Sequence, residues 1–448
     1  MPQDALAEQI TFHDLGDGLV LRRATLEDRE RVAAFHANTL LDIGETAPLE
    51  RLYGFVLDLM SGEHPTSRPG DFTIVEDTAL GKIVSSMCLI SQTWTYDGIP
   101  FNFGQPDIVS TDSAYRRRGL VRAQMNEIHK WSAERGELVQ GIMGIPWYYR
   151  QFDYELALNL GGGRAGFRYH VPRLKEGEPE LYRFRSATTE DVPFILEIYR
   201  RATSRSVVAS VRDAALWRYD IEGRNEKSGF RPDPRVIETA QGAPIGLLVR
   251  SRKLWSGAIE ARLYEVNAGV PFLAVTPSVM RYLDATGEEY AKRDGGEFEA
   301  ISFNLGENHP IYDTIPDRLP MVHKPYAWYI RVPDLSAFVR HIAPALEKRL
   351  AESAQCGYTG EMKLNFYRSG LYFIFKEGSI IVEAWKPDRV EEGDAAFPEL
   401  TFLQLLFGYR SLEELQHAFP DCSVATDEAR ALLPILCPKK DSNVWSGG

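Results

Sequence analysis

The sequence predicts a mixed α/β protein: two related units in tandem, each with a mixed sheet, and then a smaller α+β unit. Three observations predict it. Segments of strand-like and helix-like periodicity alternate along the first two thirds of the chain. Asp97-Gly98, set between two apolar runs, is a hairpin signal and puts antiparallel pairs among the early strands. An internal repeat supplies the tandem. Arg22, Ala24, Thr25, Glu27 and Asp28 are matched at one constant offset by Arg185, Ala187, Thr188, Glu190 and Asp191. Each copy reads as a strand end, a Thr cap with acids in the first turn, and an apolar-periodic helix. Val32, Ala33 and Phe35 of the first helix have counterparts in Ile195, Leu196 and Ile198.

In the first copy, 72–76 and 82–91 read as strands, the second so apolar that both its faces should be covered. A strand at 99–111 follows the Asp97-Gly98 turn. After a basic loop, a helix runs to about Arg135, with Val121, Met125 and Ile128 on one face and Gly136 suited to its end. A short strand is expected at 138–142 and a helix at 148–156. Gly161-Gly162-Gly163 and the polar stretch 175–180 separate the copies. The second copy carries strands at 245–249, 261–266, 298–302 and 326–332. From Ser336 a helix leads into a β-meander (362–368, 371–376, 379–385), with turns at Ser369-Gly370 and Glu377-Gly378, and then helices at 401–407, 412–419 and 427–436. The expected domains are 1–175, 176–335 and 336–448.

Composition narrows the function classes. Acidic residues outnumber basic ones 63 to 51, a net charge of -12, which disfavours a nucleic-acid partner and favours a cationic substrate. The first residues carry acids and no apolar core, unlike a signal peptide, and no apolar run approaches the roughly 20 residues of a membrane span. Cys88, Cys356, Cys422 and Cys437 show neither C-x-x-C nor disulfide-framework spacing, and the histidines lack metal-ligand spacing, so buried thiols in the cytoplasm and no metal are expected.

Chemistry concentrates after the 99–111 strand. Arg116, Arg117, Arg118 and Arg122 surround Gly119 where a helix begins. A helix N-terminus offers unpaired N–H groups and a positive dipole end, glycine lets a phosphate approach the backbone, and arginines add charge-assisted bonds. On its own the cluster reads equally as a solvated basic turn.

Arg116-Arg117-Arg118-Gly119-Leu120-Val121 resembles the pyrophosphate-binding motif Gln/Arg-x-x-Gly-x-Gly/Ala of the GNAT N-acetyltransferase superfamily, departing at Val121. It is most similar to the loop of the Eis (enhanced intracellular survival) group, which carries a bulky apolar residue there. Tyr148–Glu155 resembles the family's Tyr-x-x-Phe-Gly-Tyr segment, with Asp153 at the usual glycine. The whole layout resembles that group: a catalytic GNAT domain, a degenerate second GNAT-like domain and a sterol-carrier-protein-like C-terminal domain acting as a scaffold. Val275–Met280 stands where the second copy would need a phosphate loop, so only the first is expected to bind acetyl-CoA.

The resemblance implies that Val109, Ser110 and Thr111, with Gly144 and Ile145 opposite, hold the acetyl-pantetheine arm. Arg116, Arg117, Arg118, Gly119, Leu120, Val121 and Arg122 would hold the pyrophosphate. Tyr149 takes the place of the general acid for the departing thiolate; a phenol of pKa about 10 can protonate a thiolate whose conjugate acid lies near ~8.5. The implied reaction is direct attack by a primary amine, such as an aminoglycoside or another cationic amine, without a covalent cysteine. For the base, the C-terminal carboxylate of Gly448, a water, His36 and Asp42 all stay open. A homo-oligomer, a hexamer in the related group, is also implied. Two alternatives stand beside this: an idle scaffold binding lipid through its C-terminal domain, and a transferase of longer acyl groups.

Overall fold

The computed structural model describes residues 13–40 and 47–444. The first stretch forms strands β1 (His13–Gly16), β2 (Leu19–Arg23), β3 (Phe72–Asp77), β4 (Lys82–Tyr96), β5 (Ile99–Thr111), β6 (Val139–Ile142) and β7 (Glu155–Leu160), with helices α1 (Arg29–Thr39), α2 (Glu50–Leu59) and α3 (Leu120–Glu134). Asp97 (φ 44°) and Gly98 (φ 87°) form the expected left-handed turn between β4 and β5. β4 is buried without a break from Ile83 to Ile90, as its near-continuous apolar run requires.

The helix expected at 148–156 is not formed. A single 3₁₀ turn, Tyr148–Phe152, closes on Asp153 at φ 66°, and β7 follows. Leu156, Leu158 and Leu160 recur at every second residue, the period of a strand, and that pattern prevails. Aspartate is one of the few side chains tolerated in the left-handed region, so Asp153 makes a turn for which glycine is the easier residue.

The middle of the chain adds β8 (Gly163–Phe167), β9 (Tyr182–Ser186), β10 (Val208–Ser210), β11 (Asp233–Thr239), β12 (Pro244–Arg250), β13 (Ala258–Val266), β14 (Ala300–Phe303), β15 (Met321–His323) and β16 (Tyr326–Arg331). Its helices are α4 (Val192–Thr203), α5 (Ala214–Arg218), α6 (Phe272–Asp294) and α7 (Ile311–Thr314). Two sheets result. The first runs β1-β2-β3-β4-β5-β6-β16-β7, with β10 on the end of β4; the second runs β15-β8-β14-β13-β12-β11-β9. The series β2-β3-β4-β5-β6 and β9-β11-β12-β13-β14 have the same order, antiparallel up to a parallel last pair. Each sheet then takes a strand from the other half. β16 lies between β6 and β7, while β8 lies between β14 and β15, so strands from either side of residue 175 share both sheets.

The sequence repeat is a structural repeat. Arg22 forms a two-pronged bond with Asp28 at 2.7 and 2.8 Å, and Arg185 does the same with Asp191 at 2.7 and 2.8 Å. The same aspartates accept from the Thr25 and Thr188 backbone N–H at 2.9 and 2.8 Å, which fixes the entry into α1 and α4. In both copies the arginine Nε reaches a glutamate on the next strand, Glu76 or Glu238.

The last part contains α8 (Leu335–Ala351), the meander β17 (Gly360–Asn365), β18 (Gly370–Lys376) and β19 (Ser379–Trp385), then β20 (Ala395–Ala396), α9 (Thr401–Leu406), α10 (Leu412–Ala418), β21 (Ser423–Val424) and α11 (Asp427–Leu436). Its apolar residues are continuous with one face of the first sheet: Trp94, stacked on Phe103 at 3.5 Å, Trp328 and Phe101 share a core with Phe338, Ile342 and Phe407. Tyr96 donates to the Leu406 carbonyl at 2.6 Å and Arg349 to Asp97 at 2.8 Å, so the third unit is bolted to the first sheet by paired polar groups as well as by apolar burial.

Candidate active site

The site begins with a defect in β5. The β4–β5 ladder is regular from Tyr96↔Ile99 to Cys88↔Asp107, then shifts register before Ser86↔Ser110, and Ile108 sits at φ 51°. Such a bulge re-aims a strand. On its other side β5 pairs with β6 at only two positions, Phe103↔Val139 and Gly104↔Gln140, and beyond them the parallel strands part. Val109, Ser110 and Thr111 therefore edge an open notch, with Gly144 and Ile145 on the chain that leaves β6.

The notch is held rigidly from behind. His36 is fully buried, with Nδ1 2.7 Å from the Ser110 hydroxyl and Nε2 3.1 Å from the Ser86 hydroxyl. Burial drives its pKa down to about 3, so it stays neutral and ties α1 to the bulged strand. Ser85 donates to the Ser110 carbonyl at 3.0 Å and shares a 2.8 Å bond with the Thr111 hydroxyl. Gln124 of α3 donates to Ser85 at 2.6 Å and accepts from Thr73 at 2.8 Å, which fixes the helix beneath the loop.

At the mouth, Arg117 (φ 64°) and Gly119 (φ 76°) turn the chain sharply into α3. The first intrahelical bond is Ala123 N–H to the Gly119 carbonyl at 3.0 Å, so the N–H groups of the first turn have no helical acceptor. A Cβ on Gly119 would meet nothing within 4 Å, which leaves open space before this N-terminus. Arg116, Arg117, Arg118 and Arg122 are exposed, Leu120 is buried and Val121 is half-buried. Arg118 lies over the Tyr115 ring at 4.9 Å; Arg122 lies over Phe152 at 4.9 Å and donates to Gln151 at 3.0 Å. The loop could take a diphosphate on N–H groups and guanidinium groups without moving α3.

Tyr149 is brought to the inner end of the notch by the 3₁₀ turn, with its ring against the Gly144 backbone. Burial, and then the charge of Asp107, raise its pKa, so the phenol holds its proton. Asp107 was not singled out by the sequence. Its carboxylate accepts from the Ile108 N–H and from Gln105 Nε2, both at 2.7 Å, and burial pushes its pKa up to about 6. Gln105 accepts in turn from Gln92 Nε2 at 2.7 Å, and Gln92 accepts from the Trp94 indole N–H at 2.9 Å. A lone carboxylate two residues before the expected notch strand was the available signal. Cys88 lies alongside, but burial lifts its thiol well above the ordinary cysteine value. Asp42 and Gly448 lie outside the described residues.

The second copy differs at the equivalent place. β13 also parts from its parallel partner after four pairs, Ala258↔Ala300 to Ala261↔Phe303. There, however, the buried His309 bonds the Tyr264 carbonyl at 3.1 Å, so a side chain already takes a backbone acceptor on that edge. Val275–Met280 lies inside α6, and the connection before that helix contains no arginine or lysine.

Residues 20–157 match the acetyltransferase (GNAT) domain family. That span holds the bulge, the arginine loop and Tyr149. Solved structures resemble the chain over nearly its full length. A probable N-acyltransferase of unknown function from Enterococcus faecalis V583 has 14% identity and a TM-score of 0.65, covering 96% of this chain and 100% of the other. A GCN5-related N-acetyltransferase from Kribbella flavida has 17% identity and a TM-score of 0.61, covering 95% and 97%. Eis1 from Mycobacterium abscessus has 13% identity and a TM-score of 0.56, covering 96% and 99%. At these identities the likeness is one of fold, and it extends beyond the GNAT domain to the second sheet and the C-terminal unit. No curated protein matches the chain by sequence. Among the described residues no cluster of His, Cys, Asp or Glu is arranged to hold a metal, and no helix is long and apolar enough to cross a membrane.

Proposed function

We propose that the protein is an acetyl-CoA-dependent N-acetyltransferase that acetylates a primary amine by direct attack in a ternary complex. The observation that carries this reading is the parted β5–β6 pair, with the arginine loop at one end and Tyr149 with Asp107 at the other. Backbone groups of Val109, Ser110 and Thr111 hold the pantetheine arm, Gly144 and Ile145 face it, and the Arg116–Arg122 loop holds the pyrophosphate. The amine nitrogen attacks the thioester carbonyl, the C–S bond breaks, and the thiolate takes the Tyr149 proton. Asp107 accepts the proton lost by the nitrogen. A carboxyl with a pKa near 6 is mostly ionised at neutral pH yet basic enough for that task. Solvent returns the proton to Tyr149.

The acceptor enters from a cavity of about 580 Å³ between the two sheets, walled by Leu160, Tyr199, Phe230, Tyr264 and the 440–444 segment. Leu160 pairs with Tyr326, whose hydroxyl reaches the Gly144 carbonyl at 3.5 Å, so Tyr326 links the wall of that cavity to the notch. The net charge of -12 suits a cationic amine, such as an aminoglycoside. The C-terminal unit, packed on the first sheet through a shared core, serves as the scaffold of this cavity, whatever its likeness to sterol carrier proteins. A homo-oligomer in the cytoplasm, a hexamer as in the Eis group, completes the reading.

Calorimetric titration of acetyl-CoA, followed by thiol release over a panel of primary amines with acetyl-, propionyl- and longer acyl-CoA donors, tests it. One site per chain and fastest turnover with acetyl-CoA are expected. Two sites would overturn the silent second copy, and absence of binding would overturn the enzyme.

A further inference from the structure

Across a shared wall of Arg51, Gly229, Trp255 and Arg262 from the 580 Å³ cavity lies another pocket, of about 710 Å³. Seven of its lining side chains are cationic and three anionic, the reverse of the balance in the whole chain. Trp255 gathers three of the cations around its indole: Lys253 at 4.3 Å, Arg51 at 5.6 Å and Arg262 at 5.9 Å. Arg262 is neutralised by Glu260 at 3.1 Å and Arg293 by Asp294 at 2.7 Å.

Arg231 and Arg252 are not neutralised in this way. The Arg231 side chain is only 16% exposed, its hydrogen bond goes to the Ile221 carbonyl at 3.4 Å, and Glu226 stands 3.8 Å away with 89% of its own side chain in solvent. The Arg252 guanidinium meets no carboxylate among the described residues, and the two arginines repel each other: burial, then the Arg252 charge, hold Arg231 below the ordinary arginine value. The wall that carries Arg231 is fixed. Asn225 N–H donates to Asp58 at 2.6 Å, Gly229 N–H to the Arg51 carbonyl at 3.0 Å, and Gly54 of α2 packs so close that a Cβ would strike the Lys227–Ser228 backbone. Like charges held together on an anchored frame, with no carboxylate closer to Arg231 than the solvent-exposed Glu226 at 3.8 Å, suit an external anion that both can grip.

We propose that this pocket binds a small, multiply charged oxyanion, with Arg231 and Arg252 as its paired clamp and Lys253 beside them. A phosphorylated molecule and a polycarboxylate share this chemistry.

The test uses the full-length protein with its Arg116–Arg122 loop saturated by coenzyme A. Pyrophosphate and citrate are titrated separately by calorimetry. One saturable site is expected, weakened about tenfold or more in Arg252→Gln and in Arg231→Gln/Arg252→Gln, and unchanged in Arg116→Gln/Arg118→Gln without coenzyme A. Arg252 is exposed, so its single variant reads the clamp even if the double variant unfolds. Tighter pyrophosphate binding assigns a phosphorylated ligand, and tighter citrate binding a polycarboxylate. Equal affinity in wild type and Arg252→Gln, or no binding of either anion at millimolar concentration, overturns the proposal.

Discussion

The Tyr149 ring occupies the space in which a side chain on Gly144 would begin. The ring is thus positioned by an absence of side chain opposite, and the two positions can be tested separately. Gly144→Ala should push the ring away and lower kcat by about 10²-fold, a typical cost of displacing a reacting group by an ångström or so. Tyr149→Phe keeps the ring and removes the proton. It should lower kcat by ~10²-fold or more while the Tm stays close to that of the wild type.

The pH profile should report Asp107. As the base it must be ionised, so kcat/KM should rise with pH through about 6 and then level. Asp107→Asn should remove that limb and cost ~10²–10⁴-fold in rate. Stability moves the opposite way. A carboxyl whose pKa is raised on folding favours the protonated fold, so its contribution is lost as pH rises from 3.8 through about 6. The Asn variant should therefore melt at a higher temperature than wild type at neutral pH. A flat wild-type rate profile between pH 5 and 7 would remove Asp107 from the base role.

The arginine loop predicts a salt-sensitive KM. Replacing Arg116 and Arg118 by Gln should raise the KM for acetyl-CoA by roughly tenfold for each bond to phosphate, with little change in kcat at saturation. Added salt should weaken wild type more than the double variant. Gly119→Val forces a β-branched residue to φ 76° at a cost of about 1–3 kcal/mol and should abolish tight binding of coenzyme A.

Acid should unfold the protein through its buried histidines. His36, His64 and His309 each have a pKa near 3 because burial excludes the charged ring. The unfolded chain takes up these protons near pH 6.5, so the stabilisation is complete above that value and is lost as pH falls toward 3. Each histidine contributes a slope of up to about 1.4 kcal/mol per pH unit. His36→Gln should remove one such slope in urea titrations at pH 5 and pH 7. It should also loosen Ser110, seen as a raised KM for acetyl-CoA.

Much of this architecture is legible in the chain. The repeated Arg22–Asp28 and Arg185–Asp191 segments announce the tandem because one local device, an arginine gripping the cap aspartate, is used twice. The Asp97-Gly98 and Glu377-Gly378 turns are equally local, and all four residues adopt the positive φ that such pairs favour. The mistaken helix at 148–156 shows the limit of short windows, where aromatic spacing concealed the alternation of Leu156, Leu158 and Leu160. The bulge at Ile108 was not legible, since nothing in an isoleucine announces a left-handed backbone. Asp107 stayed hidden for the same reason, because its place near Tyr149 follows from the bulge. The places of β8 and β16 could not be read either, for both are ordinary apolar strands whose partners are chosen far away in sequence.

That exchange bears on how the protein comes to exist in the cell. On the ribosome, the sheet that carries the notch lacks its penultimate strand until β16 has been synthesised, and β6 and β7 meanwhile present open edges to any passing strand. The sheet closes only through a pairing of great sequence separation, which is slow to form. Early folding is therefore exposed to mispairing between chains in a way the finished molecule is not.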